Sequence, residues 1–545
     1  MAPPTVAIVL GAVPLQSLYL GPGHVALSGR RGPRSDMASL LSRRGPAVLD
    51  PERVKTRVVV SRAGAAVVVA RVVYLWPPLH SDEGGYLFVA RHWRPGGEFL
   101  YGDYHVDRPP LLLAIFRLAA VSDWDRAIRV LAIPFVVAAV LAMARAGFLV
   151  AGHGGARWSA AVTAALVSSP ALGADQVDGE LLALPFVAGC VALTLDAWRR
   201  ARDGDRFGTA VAAGMLGGAA VLVKQNFLDG LAFAFVLVAT EALRCHRITG
   251  RCLVVALGVG LGAGAPALAV VGWLMTRDTA PVQLWSELVS FRASASAVLW
   301  DTSLRAPGRR GATLVLLALL SATIPMAGTW LRWVRTRGRR CAPEEWAVSG
   351  SVVFAIWAIL GGGSYWPHYL LELATPLALA VAMVAPTDTV SGAGMRTWAR
   401  VAVGSTVTLI LIVVGVYATV PRAWHQERTG QWLADSSAPD DTVLVAYGNV
   451  AMLETSGLGT PYPYLWSLPM RTLDADQERL RATLAGPNAP TWIIRMNSLN
   501  SWGIDAHGDL RTLIGSRYDV VAQVCGHTVA LRSDVHRSLA PPPLC

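Results

Sequence analysis

Between residues 58 and 420 the chain returns repeatedly to apolar stretches of about 15–23 residues, and nothing else in it narrows the possible folds so far. Stretches of this length and number cannot all be hidden in a soluble core. They can cross a bilayer, where a helix satisfies its own backbone. The stretches at 58–79, 130–150, 159–176, 181–198, 207–223, 227–243, 252–274, 312–331, 347–361, 370–386 and 400–420 predict about eleven transmembrane helices. Composition agrees: 53% of residues are hydrophobic, 16% are charged, and the mean hydropathy is +0.43.

In such a chain the net charge of +11 first indicates orientation. Arg199, Arg200 and Arg202, then Arg244, Arg247 and Arg251, then the cluster from Arg332 to Arg340, then Arg396 and Arg400 fall on one side, predicted to be cytoplasmic. The opposite loops at 174–180 and 361–369 carry no Lys or Arg. Arg305, Arg309 and Arg310 run against the rule, but in a long loop, where it is weak. This puts the N-terminus inside, and the loop 80–129 and the C-terminal residues outside. No basic run is interleaved with aromatics, so nucleic acid is not an expected partner.

Three regions follow. Residues 1–57, rich in Pro, Gly and Arg, read as a disordered cytoplasmic tail; 58–420 form the membrane domain; 421–545 form a small extracytoplasmic α/β domain. Strands are predicted from Thr442 and from Thr491, a helix from Asp474 to Leu484, and a hairpin from Tyr518 to Leu531 turning near Gly526. The fold class is thus an all-α polytopic membrane protein with an α/β appendage. Cys525 and Cys545 lie where a disulfide could persist, and pairing or two free thiols both fit.

The ionisable groups gather at predicted helix mouths on the outer side. Asp82 and Glu83 open the first outer loop, SDEGGYLFVARHWRPGGEFLYGDYHVDRPPLL, which returns to the membrane through Arg108-Pro109-Pro110. The following 13 or so apolar residues reach about 20 Å as a helix, too short to span, and predict a segment in the outer interface. Asp175, Asp178 and Glu180 occupy the next outer loop, Lys224 ends a Gly/Ala-rich helix, and Tyr365 to Tyr369 form a third mouth. A carboxylate at the edge of low dielectric suits a general base, and a cation at that depth suits a lipid phosphate. Each group also has a plainer reading. Asp82 and Glu83 could cap a helix, Asp178 and Glu180 could be solvated, and Lys224 could anchor the interface. His368 could be an ordinary interfacial histidine. Arg71, deep in the first stretch, either faces a polar cavity or snorkels outward.

The acidic pair, the aromatic loop and Tyr104-x3-Arg108-Pro109-Pro110-Leu111 together resemble the first outer loop of the GT-C fold membrane glycosyltransferases. The likeness is greatest to bacterial relatives of the protein O-mannosyltransferases and lipid A aminoarabinose transferases. Asp178-Gly179-Glu180, Lys224-Gln225 and His368-Tyr369-Leu370-Leu371 extend the resemblance over roughly 58–386.

The resemblance implies a multi-pass protein of the bacterial inner membrane that moves a sugar, with inversion, from a polyprenyl-phosphate donor to a glycan, lipid or protein hydroxyl. It implies Asp82 as catalytic base with Glu83 beside it, and Lys224, Arg108 and Arg71 at the donor phosphate. Tyr86, Tyr101, Tyr104, Asp178, Glu180, His368 and Tyr369 would meet the substrates. No cofactor is expected. The oligosaccharyltransferase branch, however, holds a divalent ion with acidic loop residues, and here Asp82, Asp178 and Glu180 would be the ligands. A transporter of lipid-linked sugars is the alternative, although the long outer loop and absence of visible repeats speak against it.

Overall fold

The computed structural model describes residues 50–545, apart from 200–205, 278 and 302–304. Most of the predicted tail therefore lies outside the described residues, and its last part is already helical. The first helix, α1, runs Pro51–Val73, so the stretch predicted over 58–79 starts earlier and ends before Trp76-Pro77-Pro78.

Short helices α2 (Ser81–Arg91) and α3 (Pro110–Ala119) flank the first loop. Then come α4 (Ala127–Leu166), α5 (Gly179–Arg199), α6 (Phe207–Val223), α7 (Asp229–Cys245) and α8 (Gly250–Met275). The segment α9 (Pro281–Trp285) and α10 (Phe291–Asp301) precedes α11 (Arg305–Leu320), α12 (Thr323–Arg337), α13 (Pro343–Gly361), α14 (Ala374–Val384) and α15 (Val390–Thr419).

Among the described residues six helices are long and apolar enough to cross a membrane, seven if the pair 308–320 and 323–340, bent by 70°, counts as one. This gives a multi-pass membrane protein but not the count of eleven. Part of the difference lies in α4, which breaks at Ala151 and Gly152. The Ser159 hydroxyl donates to the Met143 carbonyl at 2.8 Å, whereas 16 residues of straight helix would set them about 24 Å apart. The two stretches predicted at 130–150 and 159–176 are the arms of this hairpin. The 17-residue α6 falls just short of the usual spanning length.

Small residues set the helix spacing behind the site. A Cβ on Gly214 would lie 2.1 Å from the Val259 carbonyl, and one on Gly262 2.0 Å from that of Val211, so α6 and α8 touch backbone to backbone. That contact fixes the end of α6, where Lys224 sits as the C-cap.

The C-terminal region carries α16 (His425–Ser436), β1 (Val443–Ala446), α17 (Ala451–Ser456), α18 (Ser467–Leu473), α19 (Glu478–Ala485), β2 (Trp492–Arg495), α20 (Asp509–Arg517), β3 (Tyr518–Val524) and β4 (His527–Arg532). The sheet order is β1-β2-β4-β3, with β1 and β2 parallel and the remaining pairs antiparallel. The predicted hairpin is β3–β4, turning at Cys525-Gly526 with φ of 48° and 83°. The predicted helix from Asp474 starts at Glu478 because the Asp474 carboxylate instead accepts the N–H groups of Arg479 and Leu480. Cys525 and Cys545 are joined by a disulfide.

This α/β region is docked on the first loop. Arg91 pairs with Glu454 at 2.6 Å, Arg126 with Glu427 at 2.9 Å, and Arg479 with Glu98 at 2.6 Å. The His105 N–H donates to the Pro463 carbonyl at 3.2 Å.

Candidate functional site

The acidic pair divides its work. Glu83, the third residue of α2, accepts the His80 backbone N–H at 3.0 Å, so the capping role is real for this residue. Its other contacts are Arg129, at 2.9 and 2.6 Å, and the Val177 N–H at 2.8 Å. Both Glu83 and Arg129 are 1% exposed, and Arg129 spends its remaining N–H groups on the carbonyls of Tyr74, Pro77 and Pro78. Burial opposes the charge on Glu83, but Arg129 more than offsets it and holds the carboxyl below the usual carboxylate range. A carboxylate so saturated with donors is a strut between the first and second loops. Expected beside Asp82 in catalysis, Glu83 has no oxygen left for a substrate.

Asp82 points elsewhere. It is half-buried, and its two oxygens meet neutral donors: Trp466 Nε1 at 3.0 Å and the Tyr86 hydroxyl at 3.3 Å. The Arg108 guanidinium lies over the Tyr86 ring, 5.4 Å from its centre, and donates to Asp107 at 2.7 Å. Arg292, from α10, reaches the other Asp107 oxygen at 2.5 Å. Burial would raise the Asp107 carboxyl, but Arg108 and Arg292 hold it below its ordinary value. Gln225 closes the group by donating to the Asp107 carbonyl at 3.3 Å.

Lys224 stands across this group. Its ammonium lies over the Tyr369 ring, 5.1 Å from the centre, and is bonded to Glu180. His368 is 3.3 Å from Asp178 and 3.6 Å from Glu180, and Gln176 donates to its Nδ1 at 2.8 Å. Burial pushes the Asp178 carboxyl up, with Lys224 pulling it back. Asp82 lies in electrostatic range of Arg108, Tyr369 and Asp178, as do Arg108 and Arg292 of Lys224. One neighbourhood therefore gathers a carboxylate on neutral donors, three cations and two aromatic rings.

Asp178, Glu180 and His368 bring ligand atoms within 4.8 Å of one another, a donor set that suits a divalent ion. Asp82, expected among the ligands, is not in the set, and His368 takes that place. Because Lys224 already neutralises Glu180, an ion there would have to displace its ammonium.

Three expected substrate contacts lie elsewhere. Tyr101 is 1% exposed and donates to the Arg108 carbonyl at 2.6 Å. Tyr104 is buried and donates to the Thr460 carbonyl at 3.1 Å. Both hold the loop through these bonds. Arg71 is fully buried over the Tyr74 ring, 4.8 Å from its centre, with no hydrogen-bond partner among the described residues. Its electrostatic neighbours are Tyr74, Asp175, Glu83 and Arg129, the last two being the strut itself.

Sequence reasoning missed Arg129, Arg292 and Trp466. Arg129 stands one helical turn after Arg126 at the start of an apolar stretch, and a cation at that border is itself a signal of pairing. Arg292 and Trp466 gave none, because only tertiary folding brings α10 and the α/β region to this neighbourhood.

No protein-family model and no curated protein matches the sequence. Solved structures do match the fold. ArnT of Cupriavidus metallidurans, bound to undecaprenyl phosphate, is 14% identical with a TM-score of 0.55, over 86% of this chain and 97% of that one. Its apo form gives 15% and 0.53 over the same shares. The Archaeoglobus fulgidus oligosaccharyltransferase, in complex with Zn and sulfate, is 15% identical with a TM-score of 0.55, over 84% of this chain and 71% of that one. At these identities the likeness is one of fold, and the fold is the GT-C architecture that the first loop resembles.

Proposed function

We propose that this chain, sharing its fold with ArnT solved on undecaprenyl phosphate and with an oligosaccharyltransferase, is itself a membrane glycosyltransferase. It would take a sugar from a polyprenyl-phosphate donor and pass it to an acceptor hydroxyl outside the membrane, with inversion. The observation that carries this reading is that Asp82 and the Arg108 guanidinium meet at Tyr86, with Arg108 and Arg292 in turn in electrostatic range of Lys224. A phosphosugar needs those two kinds of group at its two ends.

Asp82 accepts the acceptor hydroxyl proton as that oxygen bonds to the anomeric carbon. The bond from that carbon to the phosphate oxygen breaks on the opposite face, and the lipid phosphate leaves with the electron pair. Lys224, Arg108 and Arg292 stabilise the charge that develops there. Tyr369 offers a ring face to the sugar, and Asp178, Glu180 and His368 border its hydroxyls, whereas Tyr86, expected beside it, is 2% exposed under Arg108 and Trp466 and serves to hold Asp82. A divalent ion held by those last three would add Lewis acidity near the phosphate, but no step here depends on one.

The test is the full-length protein in liposomes with a panel of polyprenyl-phosphate hexoses, pentoses and aminopentoses plus envelope extract as acceptor. One donor class should be consumed, with release of polyprenyl phosphate read by mass spectrometry. Movement of intact lipid-linked sugar across the bilayer without release would favour the transporter instead. Lys224→Gln should raise the KM for the lipid donor by roughly tenfold or more, because a charge-assisted contact to phosphate is lost. A KM within twofold of wild type would remove Lys224 from the phosphate site.

A further inference from the structure

The helix that carries Asp82 is pressed against the α/β region far more closely than ordinary side chains allow. A Cβ on Gly84 would lie 2.4 Å from Ala451 Cα, and one on Gly85 2.4 Å from Trp466 Cζ2. The two glycines directly after the acidic pair therefore admit α17 and the Trp466 ring to the surface of α2. The Val450 N–H donates to the Ser81 hydroxyl at 3.2 Å, at the other side of Asp82.

Trp466 is delivered by a pinned segment. The Tyr104 hydroxyl bonds the carbonyl and the N–H of Thr460 at 3.1 and 3.4 Å, and the His105 N–H bonds the Pro463 carbonyl at 3.2 Å. The indole then packs on Tyr86, with ring centres 5.5 Å apart, and aims its N–H at Asp82 Oδ1. Tyr86 takes Oδ2 at 3.3 Å. With one donor on each oxygen the carboxylate plane is fixed, and each oxygen keeps a lone pair for a further donor.

We propose that Trp466 is a positioning residue for Asp82, so that the α/β region forms part of the catalytic site rather than an appendage to it. This inference rests on the transferase reading for its catalytic half, but the contact itself can be tested without turnover. Trp466→Phe keeps a ring on Gly85 and Tyr86 and removes only the N–H. Gly85→Ala keeps the N–H but forces the ring away, which guards against a folding defect peculiar to one substitution.

The full-length protein in detergent is treated at one pH with a water-soluble carbodiimide and glycine ethyl ester, and modification of Asp82 is followed by peptide mass. Both variants should be modified several-fold faster than wild type, because a bonded, covered oxygen is released. In the donor assay both should lose about tenfold or more in kcat, with the donor KM within twofold, as expected for loss of a hydrogen bond to a charged group. An unchanged modification rate in both variants overturns the contact. Faster modification with unchanged kcat overturns its catalytic role. If the wild type turns over no donor, the transferase reading fails, and the modification rates alone judge whether Trp466 holds Asp82.

Discussion

Asp82→Asn should lower sugar transfer by roughly a thousandfold while leaving thermal unfolding within a few degrees of wild type. General-base assistance contributes about 10²–10⁴ in rate, and an amide of the same shape cannot take the proton. The fold should tolerate the change because Asp82 is half-buried and meets only neutral groups: the amide oxygen can still accept the Trp466 indole N–H, and the amide NH2 can donate to the Tyr86 hydroxyl oxygen once that hydroxyl turns. Three of the neighbouring carboxylates are committed to cations. Glu83 is locked on Arg129, Asp107 lies between Arg108 and Arg292, and Glu180 is bonded to Lys224. A carboxylate already neutralised by an ion pair is a poor proton acceptor, so among these acids Asp82 alone is arranged as a base. The measurement is kcat on the donor found by the panel, beside a melting curve. Retention of more than about a tenth of wild-type kcat in a folded Asp82→Asn protein would move the base elsewhere.

The elements that fold locally were the ones the sequence revealed. The β3–β4 turn was legible because Gly526 follows Cys525 between two alternating runs, a pattern with few other backbone solutions. The apolar stretches showed the membrane bundle, and Asp82, Arg108 and Lys224 were found because charge at a helix mouth is costly and so conspicuous. What failed was the assignment of partners. Glu83 and Asp82 are adjacent in sequence, yet a helix turns successive residues by about 100°, which sends one to Arg129 and the other to Trp466. Tyr101 and Tyr104 looked like sugar-binding rings because the loop is aromatic, but their hydroxyls bond backbone that only tertiary packing brings near. Arg71 was grouped with the phosphate cations by depth, whereas it lies over the Tyr74 ring with Asp175, Glu83 and Arg129 as its charged neighbours.

Removing the strut should cost more stability than any other single side-chain change considered for the loop. Glu83→Gln leaves Arg129 as a fully buried cation without the counter-charge it is hydrogen-bonded to. Breaking a buried pair from one side typically costs about 3–5 kcal/mol, because the remaining charge is still out of water. The melting temperature in detergent should therefore fall by about 3–5 °C. Replacing both partners, Glu83→Leu with Arg129→Met, should recover part of the loss, since no charge is then stranded. The pH dependence has a definite sign. The Glu83 carboxyl is held below its usual value, so its contribution is complete above the unfolded carboxyl pKa of about 4.3 and is lost as acid takes the pH below that. Wild type should thus lose stability on acidification through this window, and Glu83→Gln should lack that share of the slope. The same variant bears on function, because Glu83 ties the start of α2 to Arg129 and to the Val177 backbone just before Asp178. If the strut fixes the distance between Asp82 and Lys224, folded Glu83→Gln protein should lose kcat as well as stability. A variant as stable as wild type would show that Arg129 finds its counter-charge elsewhere, with Asp175 in range to supply it.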